Sequence, residues 1–255
     1  MKRVFNWFKT DQKVLPIIYT ALFFGLIATF IVAFYPNREN FSLRSYLPFW
    51  RPILEGFWVT IWISIVSLIL SIIIGFLLYI MYISRFKTLH HISNVFTEIV
   101  FGSPLIVFLV VVWYFISVPL GFRDNRTLVG LIALSLYVAP YMKNAFEGAF
   151  KSVDALQEQA MTVYGFTTYQ KYRYIKIPQI LKVILPPFMG NLTYIIKGSA
   201  LLYYIGVVEL HDSIQFVQSA TFRTVEGYFL LFVMYLLVTI PLIRLTRWFE
   251  RRFAL

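Results

Sequence analysis

The chain of 255 residues is 59% apolar and 19% aromatic, with only 14% charged residues and a mean hydropathy of +0.72; soluble domains carry about 25% charged residues, so the composition excludes a soluble enzyme and leaves one membrane domain. There is no cysteine, which removes disulfides, thiolate nucleophiles and cysteine metal sites, and His90, His91 and His211 lack a ligand spacing, so no metal site is expected. The formal charge of +11, from 23 Lys and Arg against 12 Asp and Glu, would point to nucleic acid in a soluble chain, but basic residues on cytoplasmic loops account for it in a membrane protein, and no nucleic-acid partner is expected.

A membrane-crossing helix needs about 20 predominantly apolar residues. The first such run, Leu15 to Phe34, follows a basic segment with Lys2, Arg3, Lys9 and Lys13. It is longer than a secretory h-region and no small-residue cleavage pattern follows, so it is expected to be a retained anchor helix. The apolar residues before it fit either an interfacial segment or a solvated tail. The second span is Gly56 to Ser84, where Ser64, Ser67, Ser71 and Gly75 form a small-residue stripe expected to let another helix pack closely. The third is Ile99 to Phe122.

Thr127 to Met142 extends to a full fourth crossing through Phe146 if Lys143 snorkels to the interface. Ile184 to Gly206 is the fifth, with Lys197 inside it, and Gly227 to Ile243 the sixth. Pro140 and Pro241 fall within spans, where proline bends helices. The fold class expected is therefore all-α, a polytopic membrane protein with six transmembrane helices. With the N-terminus inside, the cytoplasmic segments hold more than twice as many Lys and Arg as the outer ones, which places both termini in the cytoplasm. Residues 1–50 comprise the N-terminal segment, the first helix and an outer loop. Residues 51–255 form the main membrane domain.

The segment from Glu147 to Val183, residues 147–183, is too long for a tight connection. Asp154 with Gln157 has capping-box spacing, Gly165 sits where a C-terminal cap belongs, and Thr167 with Gln170 repeats the box before Pro178 ends the pattern. Between these signals Leu156, Ala160, Val163 and Tyr164 share one face of a short amphipathic helix. The pattern alone fits a helix resting on lipid or one presenting a face to a cytoplasmic partner.

The run from Gln159-Ala160-Met161 through Gly165 to Ile175, Ile177 and Pro178 resembles the EAA signature of permease subunits of ATP-binding-cassette importers, matching its spacing at every step. Gln159 replaces the acid, Met161 the second alanine and Ile177 a leucine. The resemblance narrows to the polar amino-acid uptake branch, histidine and glutamine permeases among them: Gly102-Ser103-Pro104-Leu105 is similar to its Gly-Thr-Pro-Leu, Pro178-Gln179 and Leu185-Pro186-Pro187 match its pairs, and Asn191, Lys197-Gly198-Ser199-Ala200-Leu201 and Ile205-Gly206-Val207-Val208-Glu209-Leu210 resemble its later motifs. It covers the chain from about Leu54 to Arg252. Phe101 stands where the branch has arginine, and Asn144 and Glu147 where it has glutamate and arginine.

The resemblance implies a type I permease core of five helices, extended here by the first, in the inner (cytoplasmic) membrane of a bacterial cell. It also implies transport by alternating access with a cytoplasmic ATPase dimer, a second permease chain, the same or homologous, and an extracytoplasmic amino-acid-binding protein. Gln159, Ala160, Gly165, Ile175, Pro178 and Gln179 would shape the ATPase-coupling surface. No cofactor belongs to this chain, and ATP and magnesium would be bound by the ATPase.

Polar residues inside spans are the natural candidates for a substrate path. These are Asn144, Asn191, Lys197 and Ser199, with Lys197 read as a buried ammonium that meets a substrate carboxylate, a carbonyl or Glu98, and the resemblance adds Ser103 and Pro104, which open the third helix, to the path. Proline at a helix start is also plain punctuation. The chain has no Gly-x4-Gly-Lys-Ser/Thr loop and no Ser, His and acid set with catalytic spacing, so it is not expected to be an enzyme. Asn125-Arg126-Thr127 fits a short glycosylation sequon. Two rival readings remain: a proton-coupled carrier using Glu98, Glu147 and Lys197, or an assembly subunit without a path. Acidic groups near the spans are few, which weighs against a cationic substrate.

Overall fold

A computed structural model describes residues 41–253 except Arg123, together with the helical positions Leu22 and Leu26. The expected first span, Leu15 to Phe34, otherwise lies outside the described residues, as does the N-terminal segment before it. The described chain is helical. After a 3-10 turn, Leu43–Phe49, come α1 (Trp50–Tyr82), α2 (Lys87–Gly102), α3 (Leu105–Val111, continuing as a π-helix over Val112–Ser117), α4 (Arg126–Lys151) and α5 (Ala155–Val163). A helical turn, Thr168–Gln170, and a π-helix, Lys171–Lys176, lead into α6 (Ile177–Ser199), which tightens to 3-10 geometry over Ala200–Ile205; α7 (Leu210–Thr221) and α8 (Thr224–Phe253) follow.

Among the described residues four helical stretches are long and apolar enough to cross a membrane, and five if the bent pair α2–α3 counts as one crossing. That pair departs from the expected single helix of residues 99–122. The two pieces meet at 115° because a residue before proline is pushed out of the helical region. Ser103 is accordingly extended at φ −108°, ψ 135°, and Pro104 at φ −62°, ψ 140° begins α3. A second departure is α7, which occupies what the sequence reading leaves as an outer loop.

The small-residue stripe on α1 packs as expected. Ser64, Ser67 and Ser71 are fully buried. Ser64 donates back to the Thr60 carbonyl at 2.7 Å, Ser67 to the Leu131 carbonyl at 3.3 Å and Ser71 to those of Ser67 and Ser135, at 2.6 and 3.2 Å, so every hydroxyl is satisfied and two of them bond to α4. A Cβ on Gly75 would run into Met142 and the Ala139 carbonyl, which is why no larger residue fits there. The main core gathers Ile63 of α1, Leu109 of α3, Leu134, Val138 and Met142 of α4 and Ile195 of α6. A second core, built on Tyr46, Ile53, Leu210, Ile214 and Val217, seats α7 against the start of α1 and against α8.

Lys143 does not snorkel. It is 4% exposed, donates to Thr97 Oγ1 at 3.3 Å and lies 4.3 Å from the Tyr82 ring centroid. Helices α1 and α2 flank α4 at this level, so the ammonium is held by a hydroxyl and an aromatic face instead of reaching water. Asn125, the residue of the sequon, caps α4 by accepting from the Leu128 N–H at 3.1 Å.

Candidate functional site

Two regions carry the residues singled out by sequence, and the first is the loop after α4. Asp154 caps α5 by accepting from the Leu156 N–H at 2.8 Å. The Thr167–Gln170 pair forms the full reciprocal capping box, with bonds of 3.3 and 2.8 Å. Gly165 sits between them at φ +72°, a left-handed conformation that glycine adopts without strain. The Glu158 carboxylate and the Lys176 ammonium pair at 2.7 Å, and Lys171 donates to Thr162 at 2.7 Å, so two bonds tie α5 to the π-helix behind it. The Lys176 ammonium holds the Glu158 carboxyl below its ordinary range, by hydrogen bond first and by charge second.

The face of α5 turned inward is a single residue wide: Met161 is 3% exposed, while Leu156, Val163 and Tyr164 are 70%, 85% and 81% exposed. The apolar stripe recognised in the sequence therefore points away from the bundle. Gln159, Ala160, Gly165 and Pro178 are exposed with it, and Ile175 and Gln179 are half-buried. Pro178 stands in the first turn of α6, where its missing N–H costs nothing.

The second region is an open face formed by α2, α4 and α6. Tyr137, Tyr141 and Asn144 recur at i, i+4 and i+7 on α4 and so share one side of it. The Tyr141 ring meets Phe101 edge-on at 4.8 Å and Tyr194 at 5.8 Å; the Tyr137 ring stacks on Tyr194 at 6.5 Å and meets Phe108 at 5.4 Å. The Tyr137 hydroxyl donates to the Ser103 carbonyl at 2.8 Å, satisfying a backbone acceptor freed by the break between α2 and α3. Around these rings Glu98, Asn144 and Lys197 are exposed. None of the three has a hydrogen bond or ion pair among the described residues.

Lys197 is thus not the buried ammonium expected from sequence. It lies on the open surface of this single chain, one turn along α6 from Tyr194. Ser199 is also displaced from its expected place: it is fully buried and donates to the Ile196 carbonyl at 2.9 Å, facing the interior. Asn191 is half-buried and donates to the Met142 sulfur at 3.7 Å. Pro104 is exposed at the bend. The structure therefore brings Ser103, Asn144 and Lys197 to one face and leaves Ser199 behind it. The ring cluster escaped the sequence reading, although the Tyr137, Tyr141, Asn144 spacing was a usable signal.

The sequence marks one buried acid only as part of a motif. Glu209 is fully buried and accepts from Thr60 Oγ1 and Tyr235 OH, both at 3.1 Å, and from the Asp212 N–H at 3.1 Å. It caps α7 and fastens it to α1 and α8. Burial pushes its carboxyl above the ordinary range, opposed by the His211 and Asp212 N–H groups and by Thr60.

Among the described residues no His, Asp and Glu cluster is arranged to hold a metal.

Residues 68–255 match the family described as binding-protein-dependent transport system inner membrane component. The chain is 28% identical over 214 residues to the probable glutamine ABC transporter permease protein of Bacillus subtilis, covering 84% of this chain and 94% of that one. It is 28% identical over 221 residues to the histidine/lysine/arginine/ornithine transport system permease protein of Escherichia coli, covering 80% and 92%. In fold it is similar to an amino acid ABC transporter crystallised with histidines, at a TM-score of 0.76 and 24% identity over 84% of this chain and 99% of that one. It is also similar to the methionine ABC transporter in an inward-facing conformation, at 0.59 and 20% over 79% and 98%. The matched region is most of the chain, and the chain belongs to the family of binding-protein-dependent transport system inner membrane components.

Proposed function

We propose that this chain is the permease subunit of an ATP-driven ABC importer that carries polar amino acids across the bacterial inner membrane. The observation that carries the reading is α5: a short helix with an outward apolar face, capped at both ends and locked to the π-helix by Glu158 and Lys176, in a loop with the spacing of the importer coupling signature. A helix that only rested on lipid would not need two side-chain tethers to fix its angle. In this reading an ATPase dimer binds the exposed Leu156, Gln159, Ala160, Val163 and Tyr164 surface. The motion passes through Gly165 and Pro178 into α6. The chain itself is non-catalytic, and ATP and magnesium are bound by the ATPase.

A second permease chain completes the path, an extracytoplasmic binding protein delivers the amino acid, and the six-span topology keeps both termini inside. The names of the relatives support an amino acid as cargo. The proton-carrier alternative draws less support, because Glu147 is tied to Lys151 at 2.6 Å and stands apart from Lys197. The test is co-purification with candidate ATPase subunits for wild type and Gly165→Pro. Proline cannot adopt the left-handed φ of position 165, so the ATPase should be retained by the wild type and lost by the variant. Loss of the ATPase from neither chain, or its absence from both, contradicts the reading.

A further inference from the structure

The exposed surface of the bundle divides into two kinds. On α1 it presents Trp58, Trp62, Ile65, Ile69, Ile73 and Leu77, and on α8 Phe229, Phe232, Leu237 and Ile240, an unbroken apolar surface suited to lipid. On α2, α4 and α6 the surface is mixed, with exposed apolar residues such as Val95, Ile99 and Phe101 joined by Glu98, Asn144 and Lys197. Charged groups facing lipid at this depth are costly, and they are found instead where a protein lines a cavity or meets a partner. The face with Glu98, Asn144 and Lys197 is therefore the one turned to the transport path.

Its charges are ordered. Helix α4 runs antiparallel to both α2 and α6, as the Thr97–Lys143 and Ser103–Tyr137 contacts and the packing of Gly130 against Leu202 and of Ala149 with Ile180 require. Glu98 lies one turn from Phe101 and Asn144 one turn from Tyr141, both toward the α5 end of the bundle. Lys197 lies one turn from Tyr194 in the opposite direction. At 1.5 Å of rise per residue each offset is about 4.5 Å. One carboxylate and one amide thus stand on one side of the Phe101, Tyr141 and Tyr194 rings, and one ammonium on the other.

We propose that this face is a selectivity site for amino acids of zero net charge. The ligand carboxylate meets Lys197, its ammonium meets Glu98, and its side chain lies on the rings beside the Asn144 amide. One ammonium and one carboxylate match the two charges of a neutral zwitterion. A basic side chain brings a second cation with no carboxylate left to meet it, and an acidic side chain a second anion with no second ammonium. Leaving a charge unpaired once the assembled path closes this open face away from water is what discriminates against both. The inference rests on the amino-acid permease reading above and narrows its substrate.

The test uses the chain assembled with its ATPase in detergent, without a binding protein, so that selectivity belongs to the membrane domain. Equilibrium binding is measured with radiolabelled L-glutamine, L-phenylalanine, L-arginine and L-glutamate. Wild type should hold glutamine and phenylalanine at least about tenfold more tightly than arginine or glutamate, the ratio given by a difference of about 1.4 kcal/mol. Lys197→Met should lose all four. Asn144→Glu adds the missing second carboxylate at an exposed position and should bring arginine binding up to or above that of glutamine. Equal binding of arginine and glutamine by wild type, unchanged preference in Asn144→Glu, or no binding of any probe overturns the proposal. Failure of the permease reading is distinct, because it shows as failure of wild type to assemble with an ATPase at all.

Discussion

The Glu158 carboxylate and the Lys176 ammonium meet at 2.7 Å across eighteen positions of sequence, joining the outward-facing helix α5 to the π-helix that feeds α6. Lys176 is almost fully covered while Glu158 is half exposed, so the pair sets the angle of α5 more than it stabilises the fold. Glu158→Gln should weaken coupling, read as substrate-stimulated ATP hydrolysis, by several-fold while leaving expression intact, and the double swap Glu158→Lys with Lys176→Glu should restore part of it. The carboxyl is held below its ordinary value. The tether is therefore complete above the free carboxyl range and lost as pH falls through the depressed folded value. Coupling should fall in that acid window, and Glu158→Gln should lack the fall.

Gly75 allows α1 and α4 to touch. Because a Cβ there would meet Met142 and the Ala139 carbonyl, Gly75→Ala should destabilise the detergent-solubilised protein by about 1 to 3 kcal/mol, the range for overpacking. Thermal unfolding followed by size-exclusion chromatography reads this directly. Gly148→Ala, where nothing lies within reach of the added Cβ, should be close to neutral in the same assay.

Glu209 makes three bonds while fully buried, and burial raises its carboxyl above the usual value of 4.5. For an acid raised in the folded state, the folded form binds more protons, so this stabilising contribution is complete below the unfolded pKa and lost as pH rises through the folded one. Thermal stability should accordingly decline as pH rises from about 4.5, and Glu209→Gln should flatten that slope. Glu209→Ala should cost more than Glu209→Gln, because it leaves Thr60 and Tyr235 without their acceptor.

Tyr137→Phe removes the donor to the Ser103 carbonyl. The expected loss is about 1 kcal/mol, since hydrogen bonds between membrane helices are modest. It should appear as faster hydrogen exchange at the α2–α3 bend, with α5 unaffected. Equal loosening of both regions would show that the bond does not act locally.

What the sequence made legible followed from local rules. The apolar runs located α1, α4, α6 and α8, the Ser and Gly stripe located the α1–α4 contact, and the Asp154, Gly165 and Thr167 signals bounded α5 and its turn, because each depends on neighbours within a few residues. What it missed depends on distant ones. Lys143 reads as snorkelling in the sequence since nothing local reveals that Tyr82 and Thr97 close over it. Lys197 reads as buried in the sequence since a charge in an apolar run implies shelter, whereas in this single chain it lies exposed beside Tyr194. Helix α7 was missed because its apolar positions Leu210, Ile214 and Val217 are too few to stand out beside true spans, and the burial of Glu209 depends on three separate helices.

The most direct measurement is amino-acid uptake into liposomes holding this chain with its ATPase, with a binding protein outside and ATP trapped inside. The account predicts uptake that requires ATP and the binding protein, is abolished by Gly165→Pro, and is indifferent to a pH gradient. Uptake by the chain alone, driven by a pH gradient without ATP, would contradict it.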